Sequence, residues 1–342
     1  MTLSRLTPII VPAIEDELRR AIEVSQGPGL EGLCHMLAYH MGWEGEAAGP
    51  KAQGKRVRPL LVILCAAASN DTPFLQQTGW QKALPAAATV ELIHNFSLIH
   101  DDIEDNSPLR RGRPTLWKKW NIAQAINTGD TLFTIAHLAT LRLAETTTPD
   151  VTLEAVRVVQ QTCLHLTQGQ YLDIEYATRS ELQPSDYWPM VAGKTAALLA
   201  CCTELGALIA DSCRRTSYRE FGRLLGLAFQ VQDDLLGIWG DAQATGKSTD
   251  SDLVEGKKSL PVLYGLHCAG AFAQRWASGP IAPDEVPALA RQLETEGARA
   301  YAQAEADRLT QEALQALEIA TPQGDAGEAL YELARKLLKR EQ

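Results

Sequence analysis

The chain of 342 residues carries 32 Lys and Arg against 42 Asp and Glu, a formal net charge of −10, with 45% hydrophobic and 22% charged residues. That composition is typical of a globular protein and excludes a disordered chain. The acidic balance argues against a binder of nucleic acid or of anionic membranes, because both surfaces require an excess of Lys and Arg.

The apolar segments and the cysteines indicate a cytoplasmic protein. The longest uninterrupted apolar stretches, 59–68 and 196–202, are shorter than the roughly 18 to 20 residues that span a bilayer, so no transmembrane segment is expected. The first residues become acidic before a long apolar run is complete, unlike a secretory signal. Seven Cys without a CxxC pair favour reduced thiols over disulfides or a zinc site.

The residue pattern is helical almost throughout the chain. Ala, Leu, Glu, Gln and Arg dominate, and apolar residues recur at spacings of three and four without a convincing run of alternating β-branched residues. Gly- and Pro-containing loops separate the predicted helices. We therefore predict an all-α fold formed by a single domain over 1–342, in which 268–342 is a C-terminal helical cap.

The first segment whose residues could bind a ligand is QGKRVRP. Lys55, Arg56 and Arg58 follow a glycine loop, and Pro59 is predicted to begin a helix. Free N–H groups and the macrodipole at a helix N-terminus favour phosphate. The segment fits an anion pocket, although a charged turn before a helix would read the same way.

The sharpest motif is LIHDDIEDNSPLRRGRPT. Asp101 and Asp105 stand at i and i+4, which places them on one face of a helix beside Asp102. Carboxylates in this arrangement suit Mg²⁺, which is held by a few carboxylates together with waters and phosphate oxygens. Arg110 and Arg111, with Arg113, follow at once as a basic cluster. One segment therefore contains carboxylates that can bind a metal ion and guanidinium groups that can bind phosphate. This combination indicates a ligand in which a metal ion bridges the protein and a polyphosphate.

A second acidic pair, Asp233 and Asp234, lies far along the chain and also ends an apolar helix. It is preceded by Gln230 and followed by Lys247 and Lys257. Two aspartate clusters with trailing bases can hold metal ions on opposite sides of one diphosphate. A nucleotide P-loop is not indicated, because neither GKT at 193–195 nor GKS at 246–248 has the required glycine five positions earlier.

In this order and spacing, the motifs resemble those of the trans-isoprenyl diphosphate synthases, the polyprenyl synthetase family. The ordered set is GKRVRP, ELIHNFSLIHDDIED, RRGRPT, QGQYLD, GKTAAL, FQVQDD and VEGKKSLP. The resemblance covers nearly the whole chain. It implies a helical bundle with a central substrate cavity, and a homodimer that joins isopentenyl diphosphate to an allylic diphosphate.

The resemblance also assigns roles to individual residues. It implies Mg²⁺, three ions per active site, bound by Asp101, Asp102, Asp105, Asp233 and Asp234. It implies an allylic diphosphate pocket of Arg110, Lys194, Thr195, Gln230, Lys247 and Lys257. It implies an isopentenyl diphosphate pocket of Lys55, Arg58, His94 and Arg111, and a helix with Gln170 and Asp173 facing the reaction space. The catalytic set is Asp101, Asp102, Asp105, Arg110, Lys194, Asp233 and Lys247.

Two positions depart from the family pattern. The second motif usually reads DDxxD, whereas Gly237 stands at its last position here. The loss of that carboxylate predicts weaker Mg²⁺ binding on this side, with activity retained. Asn121 stands where a glycine is common, and the sequence offers no physical account of it.

Product length is expected to depend on the residues one turn before Asp101. Phe96 would form a floor, while the small Ser97 leaves room beside it. An aromatic residue five positions upstream, without an insertion in the first motif, resembles geranylgeranyl diphosphate synthases, which make a C20 product. Farnesyl and longer products are alternatives.

Two other classes of function compete with the synthase. A terpene cyclase on the same fold would fit a relaxed metal site, but it needs no second diphosphate pocket. A noncatalytic subunit that modulates a partner would have no need of both aspartate pairs. The sequence therefore favours the synthase.

Overall fold

Helices make up most of the protein, as predicted, in a computed structural model that describes residues 2–77, 79–240 and 252–338. Within those ranges the extended structure is one antiparallel pair of two-residue strands, β1 (Leu109–Arg110) and β2 (Arg113–Pro114). The all-α prediction is confirmed, and the small hairpin is an addition that the sequence did not predict.

Along the chain the helices are α1 (Thr2–Ile22), α2 (Glu31–His40), α3 (Pro50–Gln53), α4 (Val57–Ala67), α5 (Leu84–Glu104), α6 (Leu116–Lys119), α7 (Ile122–Leu141), α8 (Pro149–Thr178), α9 (Tyr187–Val191), α10 (Ala197–Ile209), α11 (Arg215–Trp239), α12 (Leu260–His267), α13 (Ala271–Trp276), α14 (Val286–Thr295), α15 (Ala298–Ala320) and α16 (Gly324–Leu338). A π-helical turn, Ala192–Ala196, separates α9 from α10. Single 3₁₀ turns occur at Glu23–Ser25, Phe74–Gln76, Trp80–Ala83, Arg142–Glu145, Pro184–Asp186 and Pro283–Glu285.

The chain divides into two compact units. Unit 1 contains Met1–Gln161, Cys201–Arg215 and Thr321–Leu330, and unit 2 contains Thr162–Ala200, Thr216–Ala320 and Tyr331–Gln342. Residue 268, the predicted start of the C-terminal cap, lies inside unit 2. The single domain with a C-terminal cap stays a prediction.

Unit 1 is organised around α5, which packs on α1, α4 and α7. The first half of α5 is buried on all sides, and its small residues Ala86, Ala87 and Ala88 are fully buried. Small side chains let neighbouring helices approach closely. Thr89 and Glu91 are the polar exceptions in this buried part, and the carboxylates of the first motif come at its C-terminal end.

Unit 2 joins α8 to the π-helical turn through two glycines. A Cβ on Gly193 would lie 2.7 Å from the Cα of Gly169 and 2.6 Å from the carbonyl oxygen of His165. The two backbones therefore meet in direct contact, which only residues without a side chain permit. This contact brings the motif QGQYLD on α8 beside the motif GKT.

The residues after 268 share a core with earlier parts of unit 2. Phe272, Leu289 and Leu293 are buried in one cluster with Ile238 and Val262. Burial of this kind supplies most of the favourable free energy of folding. The segment from 268 to 298 is thus an integral part of the core of unit 2.

One helical run, 184–209, is long and apolar enough to cross a membrane by length and composition. Of its most apolar window, 67% is buried inside the protein. A core helix of a globular protein has this property as well, because its apolar side chains face other helices.

Candidate active site

The first aspartate motif occupies the end of α5 in unit 1. Asp102 is only 3% exposed, Asp101 is half-buried, and Asp105 is exposed at the helix C-cap. Asp102 Oδ1 accepts a hydrogen bond from Arg110 Nε at 2.7 Å. Burial raises the pKa of Asp102 to about 6, although the adjacent Arg110 acts in the opposite direction. Asp102 thus fixes Arg110, while Asp101 and Asp105 present carboxylates one turn apart.

The β1–β2 hairpin positions the arginines. Arg110 pairs with Arg113 across the strands, so Arg111 and Gly112 form a two-residue turn with φ angles of 52° and 75°. Positive φ at both central residues is the requirement of a type I′ turn. Arg111 Nη1 donates to the carbonyl oxygen of Ala52 at 2.6 Å. The turn therefore directs Arg110 and Arg111 to different neighbours.

Arg113 has a structural role that differs from the predicted basic cluster. It is 6% exposed, and its guanidinium lies 4.0 Å from the ring centroid of Tyr39. Its nitrogens donate to the carbonyl oxygens of Tyr39 and Glu44 at 2.9 and 2.6 Å. Arg113 anchors the hairpin to α2, and the anion-binding candidates are Arg110 and Arg111.

The GKRVRP segment presents its basic residues at the start of α4, which begins at Val57, two residues earlier than predicted. Lys55 is exposed, whereas Arg58 is half-buried with an Nε atom that has no partner among the described residues. Arg56 is 3% exposed and donates to Glu15 at 2.6 Å and to Glu91 at 2.7 Å. Arg56 holds the loop, and Lys55 and Arg58 can bind an anion.

Two histidines of unit 1 are held neutral. Burial and the charges of Arg58 and Arg111 lower the pKa of His94 well below its usual value. Burial, Arg110 and Arg111 lower the pKa of His40 to about 3, and its Nε2 atom is buried without a partner in the described structure. Low pKa values beside arginines are typical of a pocket with concentrated positive charge.

A small cavity of about 30 Å³ connects the first motif with the arginines of unit 1. His40, Asp102, Arg110 and Arg111 line it. Neither His40 nor this cavity was predicted from the sequence.

Phe96 packs within unit 1 as part of a row of rings. Its ring centroid lies 4.8 Å from that of Phe133 on α7 and 4.8 Å from that of His100. The ring centroid of Phe133 also lies 4.4 Å from that of His137. Ser97 donates its hydroxyl hydrogen to the carbonyl oxygen of His94 at 2.8 Å, which turns it toward its own helix.

In unit 2, Lys194 and Thr195 lie in the π-helical turn. Lys194 pairs with Asp173 on α8, and Thr195 donates to Gln230 Oε1 on α11 at 2.8 Å. Gln170, one turn before Asp173, is half-buried on the same helix. π-Helical turns inside α-helices occur often at functional sites. The predicted residues of three separate motifs are therefore joined within this unit.

Asp234 joins three elements of unit 2. Its Oδ2 accepts hydrogen bonds from the Tyr187 hydroxyl at 2.7 Å and from the Leu260 N–H at 3.0 Å. Its Oδ1 accepts from Gln230 Nε2 at 2.9 Å. Burial raises the pKa of Asp234 to about 7, and these hydrogen bonds act against the increase. Asp234 is 5% exposed, whereas its neighbour Asp233 is half-buried.

Of the two basic residues after the second motif, one lies within the described ranges. Lys257 is exposed and pairs with Glu255 at 2.5 Å and with Asp252 at 3.8 Å. Lys247 lies outside the described residues, so its predicted role stays a prediction.

The donor atoms fit Mg²⁺ better in some predicted ligands than in others. No group of three or more His, Cys, Asp or Glu within 2–77, 79–240 and 252–338 forms a closed metal site. Mg²⁺ does not require one, since it keeps several waters and shares phosphate oxygens. Asp101 and Asp105 in unit 1 and Asp233 in unit 2 are more accessible to such an ion than Asp102 and Asp234, which are 3% and 5% exposed. All five residues stay predicted Mg²⁺ ligands.

Arg56 was predicted as part of an anion pocket, but its contacts show that it holds the loop instead. Three other residues were not predicted: His40 lines the cavity, Phe133 contacts Phe96, and Tyr187 donates to Asp234. The sequence carries one signal, the acidic Glu91 within an apolar helix, which requires a buried cation. The other contacts join residues distant in sequence.

Comparison with known proteins gives one consistent family. Residues 48–278 match the family described as Polyprenyl synthetase. The chain is 38% identical over 319 residues to the (2E,6E)-farnesyl diphosphate synthase of Mycobacterium tuberculosis H37Rv, covering 90% of this chain and 86% of that protein. It is also 38% identical over 336 residues to the geranylgeranyl diphosphate synthase of that strain, covering 95% and 90%. A geranylgeranyl pyrophosphate synthetase structure from Pyrococcus horikoshii matches with a TM-score of 0.87 and 29% identity, covering 99% and 98%.

Proposed function

The chain belongs to the polyprenyl synthetase family and is a trans-prenyl diphosphate synthase, and from that premise we propose that its main product is geranylgeranyl diphosphate. The proposed reaction is a Mg²⁺-dependent head-to-tail condensation of isopentenyl diphosphate with an allylic diphosphate. The observation that supports the C20 length is the contact of Phe96 with Phe133 one turn before the first motif.

The allylic diphosphate is proposed to bind through carboxylates and bases. In unit 1, Asp101 and Asp105 bind Mg²⁺, and Arg110 is held in place by Asp102 to bind phosphate oxygens. In unit 2 the proposed diphosphate and metal residues are Lys194, Thr195, Gln230, Asp233 and Lys257, with Lys247 beyond the described ranges. Mg²⁺, when bound, stabilises the negative charge that develops on the departing diphosphate.

The homoallylic substrate, isopentenyl diphosphate, is proposed to bind at Lys55, Arg58, His94 and Arg111. Arg58 and Arg111 supply permanent charge. His94, whose pKa is lowered well below its usual value, stays neutral and can both donate and accept a hydrogen bond. This fixed anchor positions the double bond for attack on C1 of the allylic group. Correct orientation of two reactants lowers the barrier to their reaction.

The proposed reaction has three stages. The allylic C–O bond breaks and pyrophosphate departs with the electron pair. The double bond of isopentenyl diphosphate then forms a new carbon–carbon bond to C1. Loss of a proton, taken up by the departing pyrophosphate, forms the new double bond of the product. Apolar residues such as Phe96 exclude water, which would otherwise trap the allylic cation.

Product length is proposed to be limited by the paired rings of Phe96 and Phe133. A growing chain that passes Ser97 meets the Phe96 ring, and Phe133 prevents that ring from moving aside. The same geometry argues against much longer products, whereas a farnesyl product would require a nearer obstruction.

The proposal is tested by incubating the protein with Mg²⁺, isopentenyl diphosphate and each of dimethylallyl, geranyl and farnesyl diphosphate. Products are identified by mass spectrometry with and without phosphatase. We expect a linear C20 alcohol after phosphatase treatment. A C15 or longer alcohol would contradict the proposed length, and hydrocarbons without phosphatase would indicate a cyclase.

The proposed limit on product length is tested separately with Phe96→Ala and Phe133→Ala. Each is expected to shift the product distribution by at least one five-carbon unit, because either change opens space below Ser97. Leu75→Ala, at a side chain that is 67% exposed in unit 1, is the matched control and should leave the product unchanged. An unchanged C20 product in both variants would show that these two rings do not limit the product length.

The protein is further proposed to act as a cytoplasmic homodimer. The support for a second copy is an exposed apolar face on α7 that contains Ile122, Ile126 and Leu141. Exposed apolar patches on helices are typical of protein interfaces.

A further inference from the structure

Position 237 lies on the same face of α11 as Asp233. The two positions are separated by four residues, which is one helical turn, and the side chain of residue 237 would project beside that of Asp233. In this chain residue 237 is glycine, which costs about 1 kcal/mol relative to alanine in a helix interior.

The space that a side chain at 237 would occupy contains the carboxylate of Asp252. A Cβ built on Gly237 would lie 2.6 Å from Asp252 Cγ and 2.9 Å from Oδ1, closer than real Cβ contacts. A side chain at residue 237 would displace the carboxylate of Asp252 from this place, although the rest of Asp252 could stay. The glycine therefore leaves room on α11 that the carboxylate occupies.

Asp252 is held at this place by its backbone. Its N–H donates to the carbonyl oxygen of Gly237 at 3.3 Å, and its own carbonyl oxygen accepts from the Lys257 N–H at 3.0 Å. Its side chain is 15% exposed. Lys257 Nζ lies nearer to Glu255, at 2.5 Å, than to Asp252, at 3.8 Å.

We propose that Asp252 supplies, from the segment after α11, the carboxylate that the second aspartate motif lacks at position 237. This inference rests on the proposed function, because it assigns Asp252 to the Mg²⁺-binding side of unit 2. Asp252 adds one negative charge beside Asp233. A divalent cation bound there would be stabilised by that charge, either through direct contact or through a bound water molecule.

The test measures metal binding without prenyl substrates. Inorganic pyrophosphate is kept at a fixed concentration, Mg²⁺ is titrated, and the rise in melting temperature gives the half-maximal Mg²⁺ concentration. Asp252→Asn keeps the size of the side chain and removes its charge. We expect it to raise that concentration about tenfold, the effect typical of residues that support metal ligands.

Glu255→Gln is the matched control. It removes a carboxylate of the same segment that contacts the same lysine, and it should change the half-maximal Mg²⁺ concentration by less than about twofold. An Asp252→Asn variant that binds Mg²⁺ like the wild type would overturn the inference.

A carboxylate exchange tests the geometry. Gly237→Asp alone should weaken Mg²⁺ binding and lower the melting temperature, because two side chains compete for one place. The pair Gly237→Asp with Asp252→Ser should bring Mg²⁺ binding to within about threefold of the wild type. A pair no better than Gly237→Asp alone would overturn the exchange.

The condensation assay on the wild type, run in parallel, separates this inference from the proposed function. A wild type that binds Mg²⁺ with pyrophosphate but makes no prenyl diphosphate would contradict the proposed function alone. A wild type without Mg²⁺-dependent pyrophosphate binding would overturn the inference.

Discussion

Arg56 stands between two residues that are proposed to bind phosphate, yet its own side chain is buried among protein groups. Its φ of 48° is in the left-handed region, which costs a residue with a side chain about 1 to 2 kcal/mol. Two ion pairs, with Glu15 and Glu91, offset that cost. The backbone that carries Lys55 and Arg58 is therefore fixed by a residue that has no contact with substrate in the proposed function.

Replacing Arg56 should damage both stability and substrate binding. Arg56→Ala removes the cation that hydrogen-bonds the buried Glu91 and the half-buried Glu15, which is expected to cost about 3 to 5 kcal/mol of unfolding free energy. The measurement is denaturant unfolding, together with the KM for isopentenyl diphosphate, which should rise. Arg157→Ala, at an exposed pair with Glu154, is the control and should leave both nearly unchanged. Equal effects of the two variants would contradict the role of Arg56.

Asp234 predicts how the stability of the metal-free protein depends on pH. Its folded pKa, about 7, lies above its ordinary value of 3.8, so the folded state binds more protons than the unfolded state between those values. The contribution of Asp234 to the free energy of unfolding is fully present below about pH 4. It is lost as the pH rises to about 7, at up to about 1.4 kcal/mol per pH unit.

Asp234→Asn removes this titration. The difference in unfolding free energy between variant and wild type should therefore shift in favour of the variant from about pH 5 to about pH 7.5. Chemical denaturation in the presence of a chelator measures it. A difference that stays constant across this range would show that Asp234 does not titrate there.

At the scale of elements, α7 explains the unusual Asn121. Asn121 is the N-cap of α7, with an extended backbone, and its side-chain oxygen accepts from the Gln124 N–H at 2.9 Å. Asparagine is among the best N-cap residues, and glycine is also accepted at this position. The residue thus serves the helix that carries Phe133.

The contact between α8 and the π-helical turn leaves no room for an added methyl group. Gly193→Ala would force the turn away from Gly169, which is expected to cost about 1 to 3 kcal/mol and to displace Lys194. Turnover should fall more than about tenfold, since the loss of orientation at a substrate-binding group is costly. Thermal unfolding and steady-state kinetics measure the two effects.

Gly32→Ala is the matched control for that change. Gly32 lies in α2, and a Cβ there would meet no atom within 4 Å. Alanine should stabilise the protein slightly, because it reduces the freedom of the unfolded chain. Gly193→Ala with wild-type kinetics would remove the proposed role of the close contact.

At the scale of the whole molecule, the exposed face of α7 predicts self-association. Ile122, Ile126 and Leu141 are 51%, 41% and 54% exposed and lie within about 100° on one side of the helix. Burial of this face against a second copy would remove an unfavourable apolar surface from water.

Ile126→Glu should dissociate the predicted homodimer, because an unpaired charge cannot be buried there without a large cost. Sedimentation velocity at micromolar concentration measures the mass. Leu75→Glu, on an exposed side chain away from α7, is the control and should remain dimeric. A monomeric wild type would contradict the homodimer directly.

The sequence by itself determined the fold class, the family and the order of the chemical motifs. Helical periodicity and composition are local properties, and they were sufficient to predict an all-α chain. The aspartates and the basic residues are recognisable because each cluster stands directly at or after the end of an apolar helix. These predictions depend on neighbours within one or two helical turns.

Only the tertiary structure decided how far each charged side chain is buried and which distant elements hold it. Asp102 and Asp234 resemble Asp101 and Asp233 in the sequence, but Asp102 and Asp234 are buried, whereas Asp101 and Asp233 are half-buried. Arg113 reads like Arg111, but its guanidinium is buried against Tyr39. Partners that are far apart in sequence fix these roles, since burial and hydrogen bonding depend on what packs against each side chain.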